Sequence, residues 1–334
     1  MAFDPLPYAA PVFALALLIE GWAIGGYSRR AVVSALGCVA LDQITAAWGL
    51  VLFVTTFEAV HRTLGPVSLS ARSPWTWVLA VLAHDFAYYA YHRASHRVNV
   101  LWAAHVVHHQ SERYDFTVSL RQGALATWIT YAFYLPLALL VDAQVFLVVH
   151  AAYQIYQFFV HTRAIGRLGP LEAVFATPSH HRVHHGSERR HLDTNYGGFF
   201  IVFDRLLGTF VPEQGEPRYG VPGGYDVVSP LFANTYMMGR LIAATRTATT
   251  GRARLRLWFG PPEASTYAMS SAGHAPRAVE HASIIGTWLP LVAAGVGTLT
   301  LVFVDLPISM AVVIGGACVV LLELASAPLD GRTR

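Results

Sequence analysis

The chain is built from long apolar stretches separated by polar segments that carry most of its arginines. A helix that crosses the hydrocarbon core of a bilayer needs about 20 mostly apolar residues. About seven stretches approach this length, and they lie at 11–27, 38–59, 75–92, 124–141, 143–161, 283–303 and 307–325. The pattern predicts an all-α integral membrane protein with about seven transmembrane helices.

Composition supports a membrane protein. Mean hydropathy is +0.43 and only 13% of the residues are charged, whereas charged residues make up about 25% of a typical soluble domain. A soluble all-α protein with buried helices is the alternative. The pI is near 8.9, but all 23 basic residues are arginines placed after apolar stretches, so we expect no nucleic-acid partner.

The arginines also predict the orientation of the chain. Cytoplasmic loops of membrane proteins carry the excess of basic residues. When Arg29 and Arg30 are placed inside and the spans alternate, only Arg62 and Arg72 remain outside, 2 of 23. No basic region precedes the first stretch, which favours a retained span over a cleaved signal peptide. The segments expected in the cytoplasm are 92–123, 162–282 and the tail 331–334.

Histidines are concentrated in two windows, 92–109 and 161–185, which this topology puts on one side of the membrane. Together the windows hold ten of the sixteen histidines, at positions 92, 96, 105, 108, 109, 161, 180, 181, 184 and 185. Residues three and four apart share a face of a helix, so each cluster can present two or three imidazoles in one direction.

Imidazole is the commonest side-chain metal ligand. The two cysteines, Cys38 and Cys318, lie in apolar stretches, so any metal must be held by nitrogen or oxygen. A single zinc site uses three or four protein ligands, and this many histidines suffices for two ions. The sequence therefore predicts a cytoplasmic helical cap with a histidine-rich dimetal site. Iron, copper, nickel and zinc all suit such ligands.

The segments "HRASH", "HVVHH" and "HHRVHH" resemble the histidine boxes of the fatty acid hydroxylase and sterol desaturase superfamily of integral membrane di-iron oxygenases. Within it they are most similar to the alkylglycerol monooxygenase branch. Flanking segments such as "DFAYYAYHRASHRVN" and "DTNYGGFFIVFDRLLGTF" match too. The resemblance runs from about Ser73 to Phe210, with a weaker similarity to about Pro262.

The resemblance implies a metal-ligand set and three parts of the chain. The three parts are transmembrane helices in 1–72, a catalytic histidine-box domain in 73–262, and a transmembrane hairpin with a tail in 263–334. His180 and Gln157 are further candidates for the metal shell. The implied ligands are His92, His96, His105, His108, His109, His161, His181, His184 and His185.

The resemblance also implies a reaction. Two ferrous ions and O₂ would hydroxylate or desaturate a lipid that enters from the bilayer, such as an alkyl ether lipid, a sterol or a fatty acyl chain. The chain has no G-x-G-x-x-G fingerprint and no CxxC pair, so electrons must come from an external donor. A reductase, reduced pterin, ferredoxin or cytochrome is expected as this partner.

Three polar residues are candidates for supporting the metal site. Asp85 lies seven residues before His92, about two helical turns away on nearly the same face, where it could accept from a ligand's outer N–H. Asp193 and Asn195 follow the last histidine box. Ionisable residues inside spans are functional candidates by default, and this also covers Glu20 and Asp42.

Three other readings are open. A metal transporter would use a histidine-rich mouth, although transport sites lie near the bilayer midplane on broken helices. A b-type haem protein would pair histidines of facing spans, such as His84 with His150. A di-zinc enzyme would hydrolyse a lipid instead of oxidising it.

Overall fold

The structure is a computed structural model that describes residues 3–65, 69–222, 227–262, 284–304 and 306–330. The predicted tail 331–334 lies outside the described residues. Apart from one isolated bridge between Phe175 and Phe200, the regular elements of the described chain are helical. The α-helices are α1 Ala10–Ala23, α2 Arg29–Leu64, α3 Pro74–Arg97, α4 Asn99–His109, α5 Phe116–Ser119, α6 Ala126–Tyr134, α7 Ala143–Phe159, α8 Pro178–His184, α9 Val202–Leu207, α10 Pro230–Thr247, α11 Gly251–Phe259, α12 Ile284–Phe303 and α13 Ile308–Ser326.

Four helices of the described chain are long and apolar enough to cross a membrane. They are α1 with the 3₁₀ turn before it (Leu6–Ala23), α2, and the hairpin formed by α12 and α13. These helices confirm an all-α membrane protein. Seven spans stay a prediction, and so do the domain boundaries after residues 72 and 262.

The remaining three predicted spans form shorter or more polar helices. The fourth is interrupted, because α6 ends at Tyr134 and a 3₁₀ segment, Leu135–Leu139, follows around Pro136. Its apolar part, Ala126–Leu139, is about 21 Å long at 1.5 Å per residue, less than the hydrocarbon thickness of about 30 Å. α3 has 24 residues but includes His84, Asp85 and His92, and α7 has 17.

α2 is longer than the stretch 38–59 that the apolar pattern predicted. It has 36 residues and begins at the N-cap Ser28, whose hydroxyl accepts from the Ala31 amide at 3.2 Å. At 1.5 Å per residue it is about 54 Å long. One end therefore extends beyond a bilayer core, and there the Ser34 hydroxyl donates to the Val227 carbonyl, which precedes α10.

Three apolar clusters hold the helices together. The first joins α2, α3, α6 and α7 through Phe53, Phe57, Tyr134 and Phe146. The second packs the α12–α13 hairpin on α2, and the third packs α10 on α4. The histidine-bearing helices α3 and α4 are thus fixed on their outer sides by α7 and α10.

Candidate metal centre

A sharp reversal between α3 and α4 brings the first two histidine boxes together. Val98 separates the two helices and has an extended backbone, with φ −125° and ψ 117°. His92 and His96 lie in the last two turns of α3. After the reversal, α4 ends on the other three histidines of the window, His105, His108 and His109.

The third box forms the short helix α8. Pro178 occupies the first helical turn after the N-cap Thr177, where the missing N–H costs nothing. The helix has seven residues. His181 and His184 lie within it, and His185 is its C-cap. His161 reaches the same interior from the chain just after α7.

The structure brings the nine predicted ligands together in two groups of buried imidazoles. Within each group, one ring nitrogen from every residue lies within 4.8 Å of those of all the others. The first group is His92, His96, His105, His109 and His184, and the second is His108, His161, His181 and His185. Each group combines residues from at least two histidine boxes.

The second group has the spacing of ligands that share one ion. His161 Nε2 lies 3.0 Å from the Nε2 atoms of both His108 and His181. Two nitrogens about 2.1 Å from one ion lie about 3.0–3.4 Å apart at octahedral or tetrahedral angles. His161 Nδ1 donates to the Gln157 carbonyl at 2.6 Å, so Nε2 keeps its lone pair for a metal.

The first group also has ring nitrogens at the spacing of ligands that share one ion. His105 Nε2 and His109 Nε2 lie 3.2 Å apart. His92 Nδ1 donates to the Tyr196 carbonyl and His184 Nδ1 to the Thr194 carbonyl, both at 2.9 Å. A carbonyl can only accept, so both Nε2 atoms carry lone pairs.

Several of these nitrogens are buried without a hydrogen-bond partner. In the described chain these are His92 Nε2, His96 Nε2, His184 Nε2 and His185 Nε2. Buried polar groups are normally satisfied, because each one left without a partner costs about 1–3 kcal/mol. Lone pairs that converge in this way fit bound metal ions.

Burial keeps the imidazoles neutral, as metal binding requires. Loss of solvation is the main cause that lowers the pKa of His184, to about 4. The same cause, strengthened by neighbouring imidazoles, holds the pKa of His105 and His109 well below the usual value.

A small cavity of about 20 Å³ opens beside the two groups. Its lining includes His96, His109 and His184 from the first group, His185 from the second, and Asp193. A cavity of this size holds about one water molecule. The cavity therefore lies next to residues of both groups.

Asp85 does not support a histidine as expected. Its Oδ1 accepts from the Tyr153 hydroxyl at 2.7 Å and the Phe199 amide at 2.8 Å, and its Oδ2 accepts from the Phe200 amide at 3.1 Å. The segment after α8 folds back over α3 and supplies the two amides, whereas Tyr153 lies on α7. Asp85 therefore ties α3 to α7 and to this segment.

Asp193 and Asn195 both have left-handed backbones, with φ 61° and 53°. Asp193 accepts from Arg97 at 2.5 Å and from the Tyr196 hydroxyl at 3.2 Å, at the rim of the cavity. The Asn195 side chain donates to the carbonyls of His180 and Val211. The two residues thereby shape the turn whose carbonyls hold His92 and His184.

The two further candidates for the metal shell have other partners. The Thr177 amide donates to His180 Nδ1 at 3.4 Å, and the His180 ring packs edge-on against Phe210. Gln157 Oε1 accepts from the Tyr88 hydroxyl at 3.2 Å, and Gln157 Nε2 donates to the Gly198 carbonyl. Neither residue belongs to a histidine group.

The buried acids in the apolar helices serve as structural acceptors. Glu20 accepts from the Phe116 amide at 2.7 Å and from the Thr162 hydroxyl, next to His161. Asp42 accepts from the Thr127 hydroxyl at 2.8 Å.

The histidine pair proposed for a b-type haem does not fit one. His84 Nε2 and His150 Nδ1 lie 3.1 Å apart, in direct hydrogen-bond contact. A porphyrin cannot pass between nitrogens this close. The haem reading is therefore wrong for this pair.

Sequence reasoning missed the residues that hold the turn after α8. The Asp204 carboxylate accepts from the Tyr196 and Gly197 amides, at 2.8 and 2.6 Å, and from the Thr209 hydroxyl at 2.6 Å. Burial raises the pKa of Asp204, and these hydrogen bonds oppose the shift. Its place in the flanking segment "DTNYGGFFIVFDRLLGTF" was the available signal.

Arg182 was missed as well, although it lies inside "HHRVHH". Its guanidinium binds both Glu213 oxygens, at 2.6 and 2.9 Å, and also donates to the Thr162 and Ile165 carbonyls. It fastens α8 to the chain that follows His161.

Comparison with known proteins gives a family match over the histidine boxes. The fatty acid hydroxylase family model matches residues 77–209. The human (Homo sapiens) alkylglycerol monooxygenase is 36% identical over 235 residues, covering 68% of this chain and 53% of the relative. The Danio rerio alkylglycerol monooxygenase is 48% identical over 150 residues, covering 45% of this chain and 33% of the relative.

A bacterial relative matches more distantly. The ornithine lipid hydroxylase OlsE of Rhizobium tropici is 31% identical over 200 residues, covering 54% of this chain and 57% of the relative. The aligned part spans about half or less of the alkylglycerol monooxygenases. No solved structure matches the chain. With its histidine boxes inside the matched region, the chain belongs to the fatty acid hydroxylase and sterol desaturase superfamily and is similar to its alkylglycerol monooxygenase branch.

Proposed function

We propose that this protein is a membrane-bound di-iron oxygenase that uses O₂ to hydroxylate a lipid. The observation that carries the proposal is the pair of buried imidazole groups, one of five histidines and one of four. Each group is large enough for one ion. In this proposal the nine grouped histidines are the ligands, and Asp85, Asp193 and Asn195 are positioning residues.

The relatives support oxidation rather than transport. Those described above are named as monooxygenases or hydroxylases, and their names specify alkylglycerol and ornithine lipid. The substrate class we favour is a lipid with a polar headgroup, whose chain enters from the bilayer. An alkyl ether lipid is the first candidate, and a sterol or fatty acyl chain is the next.

The residues of the chain hold the site ready for this chemistry. When bound, two ferrous ions supply the redox chemistry of O₂ and of C–H oxidation. Backbone carbonyls of Gln157, Thr194 and Tyr196 accept the outer N–H of three imidazoles and fix their orientation, as second-shell groups do in metal sites. Burial of the histidines excludes bulk water, and the small cavity beside them is lined by residues of both groups.

The remaining parts of the proposal concern location and electron supply. The positive-inside distribution of the arginines supports a metal site on the cytoplasmic side of the membrane. In a bacterium this membrane would be the inner membrane. An external donor such as reduced pterin, ferredoxin or cytochrome then delivers electrons from the cytoplasm. Loss of a second hydrogen from the lipid would give desaturation instead of hydroxylation. The number of hydrogens removed therefore decides between these two reactions of the superfamily.

The test compares the purified protein with His105→Ala, and with His180→Ala as the matched histidine control. We expect about two iron ions per native chain and one oxidised lipid labelled by ¹⁸O₂, and we expect loss of that lipid and of about one iron ion in His105→Ala only. Zinc-dependent hydrolysis without ¹⁸O, or metal flux into vesicles with no oxidised lipid, would overturn the proposal.

A further inference from the structure

Helix α11 has one exposed face that nothing in the described chain covers. The helix buries none of its nine residues. At 100° per residue, Leu255, Phe259, Arg252 and Arg256 fall within one arc of about 100°. Leu255 and Phe259 are each 63% exposed, and both arginines are exposed. An apolar pair flanked by arginines is typical of helices that lie in a bilayer interface.

The surrounding sequence is strongly basic. Residues 227–262 contain five arginines, at positions 240, 246, 252, 254 and 256, and no Asp or Glu. Such a segment is attracted to anionic lipid headgroups, and long arginine stems let the charge reach the phosphates while apolar neighbours insert. Its charge complements an anionic membrane surface.

α10 connects this segment to the end of a membrane-spanning helix. The Val228 and Ser229 amides donate to Asp330 at 2.9 and 2.8 Å, and the Leu231 amide donates to Glu323 at 2.9 Å. Glu323 lies in the last turn of α13, a helix long and apolar enough to span. α10 therefore starts at the boundary of the bilayer.

The opposite side of α11 is fixed to the protein. Trp258 Nε1 donates to the Thr245 hydroxyl on α10 at 2.8 Å. Asn99, the buried first residue of α4, donates its side-chain amide to the Leu257 carbonyl at 2.8 Å and its backbone amide to the Gly260 carbonyl at 3.0 Å. α4 then carries three of the grouped histidines.

We propose that the outer face of α11 lies on the surface of an anionic bilayer, with Leu255 and Phe259 inserted and Arg252 and Arg256 on lipid phosphates. Through Asn99 this contact sets the depth of α4, and so of the histidine groups, relative to the lipid. The proposal concerns membrane contact and does not depend on which reaction the site performs.

The experiment uses the full chain in nanodiscs. A fluorophore is attached to Leu255→Cys, and Gln214→Cys, an exposed position in the loop after α9, is the matched control. Both native cysteines are buried and should not react. Quenching by brominated lipids is measured in zwitterionic phosphatidylcholine and in mixtures with anionic phosphatidylglycerol, at low and high salt.

We expect strong quenching of the fluorophore at position 255 and little at position 214. Quenching at 255 should increase with phosphatidylglycerol, and high salt should reduce that gain. Arg252→Gln combined with Arg256→Gln should abolish that gain while iron content is unchanged. Quenching at 255 no greater than at 214 would overturn the proposal and leave the face open to a protein partner. Equal quenching in both lipid mixtures would overturn the role of the arginines.

Discussion

His108 and His161 lie with their Nε2 atoms 3.0 Å apart, although 53 residues separate them along the chain. His108 lies in the last turn of α4 and His161 follows α7. His109, the immediate neighbour of His108, belongs to the other histidine group. Adjacent histidines in "HVVHH" thus serve different groups, because successive residues on a helix point about 100° apart.

This division predicts that the two groups lose metal separately. His108→Ala should lower bound iron from about two ions per chain to about one, and His96→Ala should do the same through the other group. The measurement is metal content of the purified variants by mass spectrometry. Loss of all metal in both variants, with the fold intact by circular dichroism, would mean that the groups act as one site.

The turn after α8 should depend on Asp204. Asp204→Ala leaves two backbone amides and the Thr209 hydroxyl without their buried acceptor. Because each such loss costs about 1–3 kcal/mol, we expect the three losses together to lower the unfolding free energy by about 3 kcal/mol or more. Iron should also dissociate faster in chelator, since the Tyr196 carbonyl that orients His92 is displaced. Asp204→Asn keeps one acceptor oxygen and should lose less unfolding free energy than Asp204→Ala. Native stability of the Ala variant would contradict this account.

The buried ion pair of α8 should matter more than an exposed one. The Arg182 and Glu213 side chains are 8% and 12% exposed, so Glu213→Gln leaves a nearly buried guanidinium without its counter-charge. We expect a loss of about 3–5 kcal/mol, measured by denaturant unfolding in detergent.

The control for that variant is Arg62→Gln, which breaks an i,i+4 pair with Glu58 whose side chains are 71% and 36% exposed. Exposed pairs of this kind contribute about 0–1 kcal/mol. Equal losses in the two variants would show that burial of the Arg182 pair has no energetic consequence.

Gly198 should not tolerate a side chain. A Cβ there would overlap the Tyr153 hydroxyl and lie 2.7 Å from Tyr88 Cδ1, so Gly198→Ala must displace the tyrosine that donates to Asp85. We expect a loss of about 3 kcal/mol or more. Tyr153→Phe removes the nearest clashing atom but keeps the ring carbon Cζ, which also lies within clashing distance, so the double variant should recover only part of the stability that Gly198→Ala loses.

Gly239→Ala is the matched control, because nothing in the described part of the chain lies within 4 Å of its Cβ position in α10. There alanine should raise stability by about 0.5–1 kcal/mol, since glycine is a poor helix residue. Thermal unfolding in detergent distinguishes the two substitutions. A harmless Gly198→Ala would contradict the close packing of α3, α7 and the turn after α8.

The sequence alone predicted the membrane class and the ten clustered histidines, because apolar length and spacings of three and four residues are local properties of a helix, and the resemblance of its histidine boxes to a known family named nine of them as ligands. The sequence predicted about seven spans; four helices of the described chain are long and apolar enough to cross a membrane, and the others, among them the segment broken at Pro136 and the more polar α3, stay predictions. It also placed Asp85 on the face of His92 without showing what would fold over that face.

Only the tertiary structure decided how the histidines divide into five and four. The division depends on the reversal at Val98 and on the left-handed residues Asp193 and Asn195, which turn two carbonyls toward His92 and His184. These are contacts between segments far apart in the chain. Helical periodicity fixes the direction of a side chain about its own axis, but the partner it meets is set by how the helices pack.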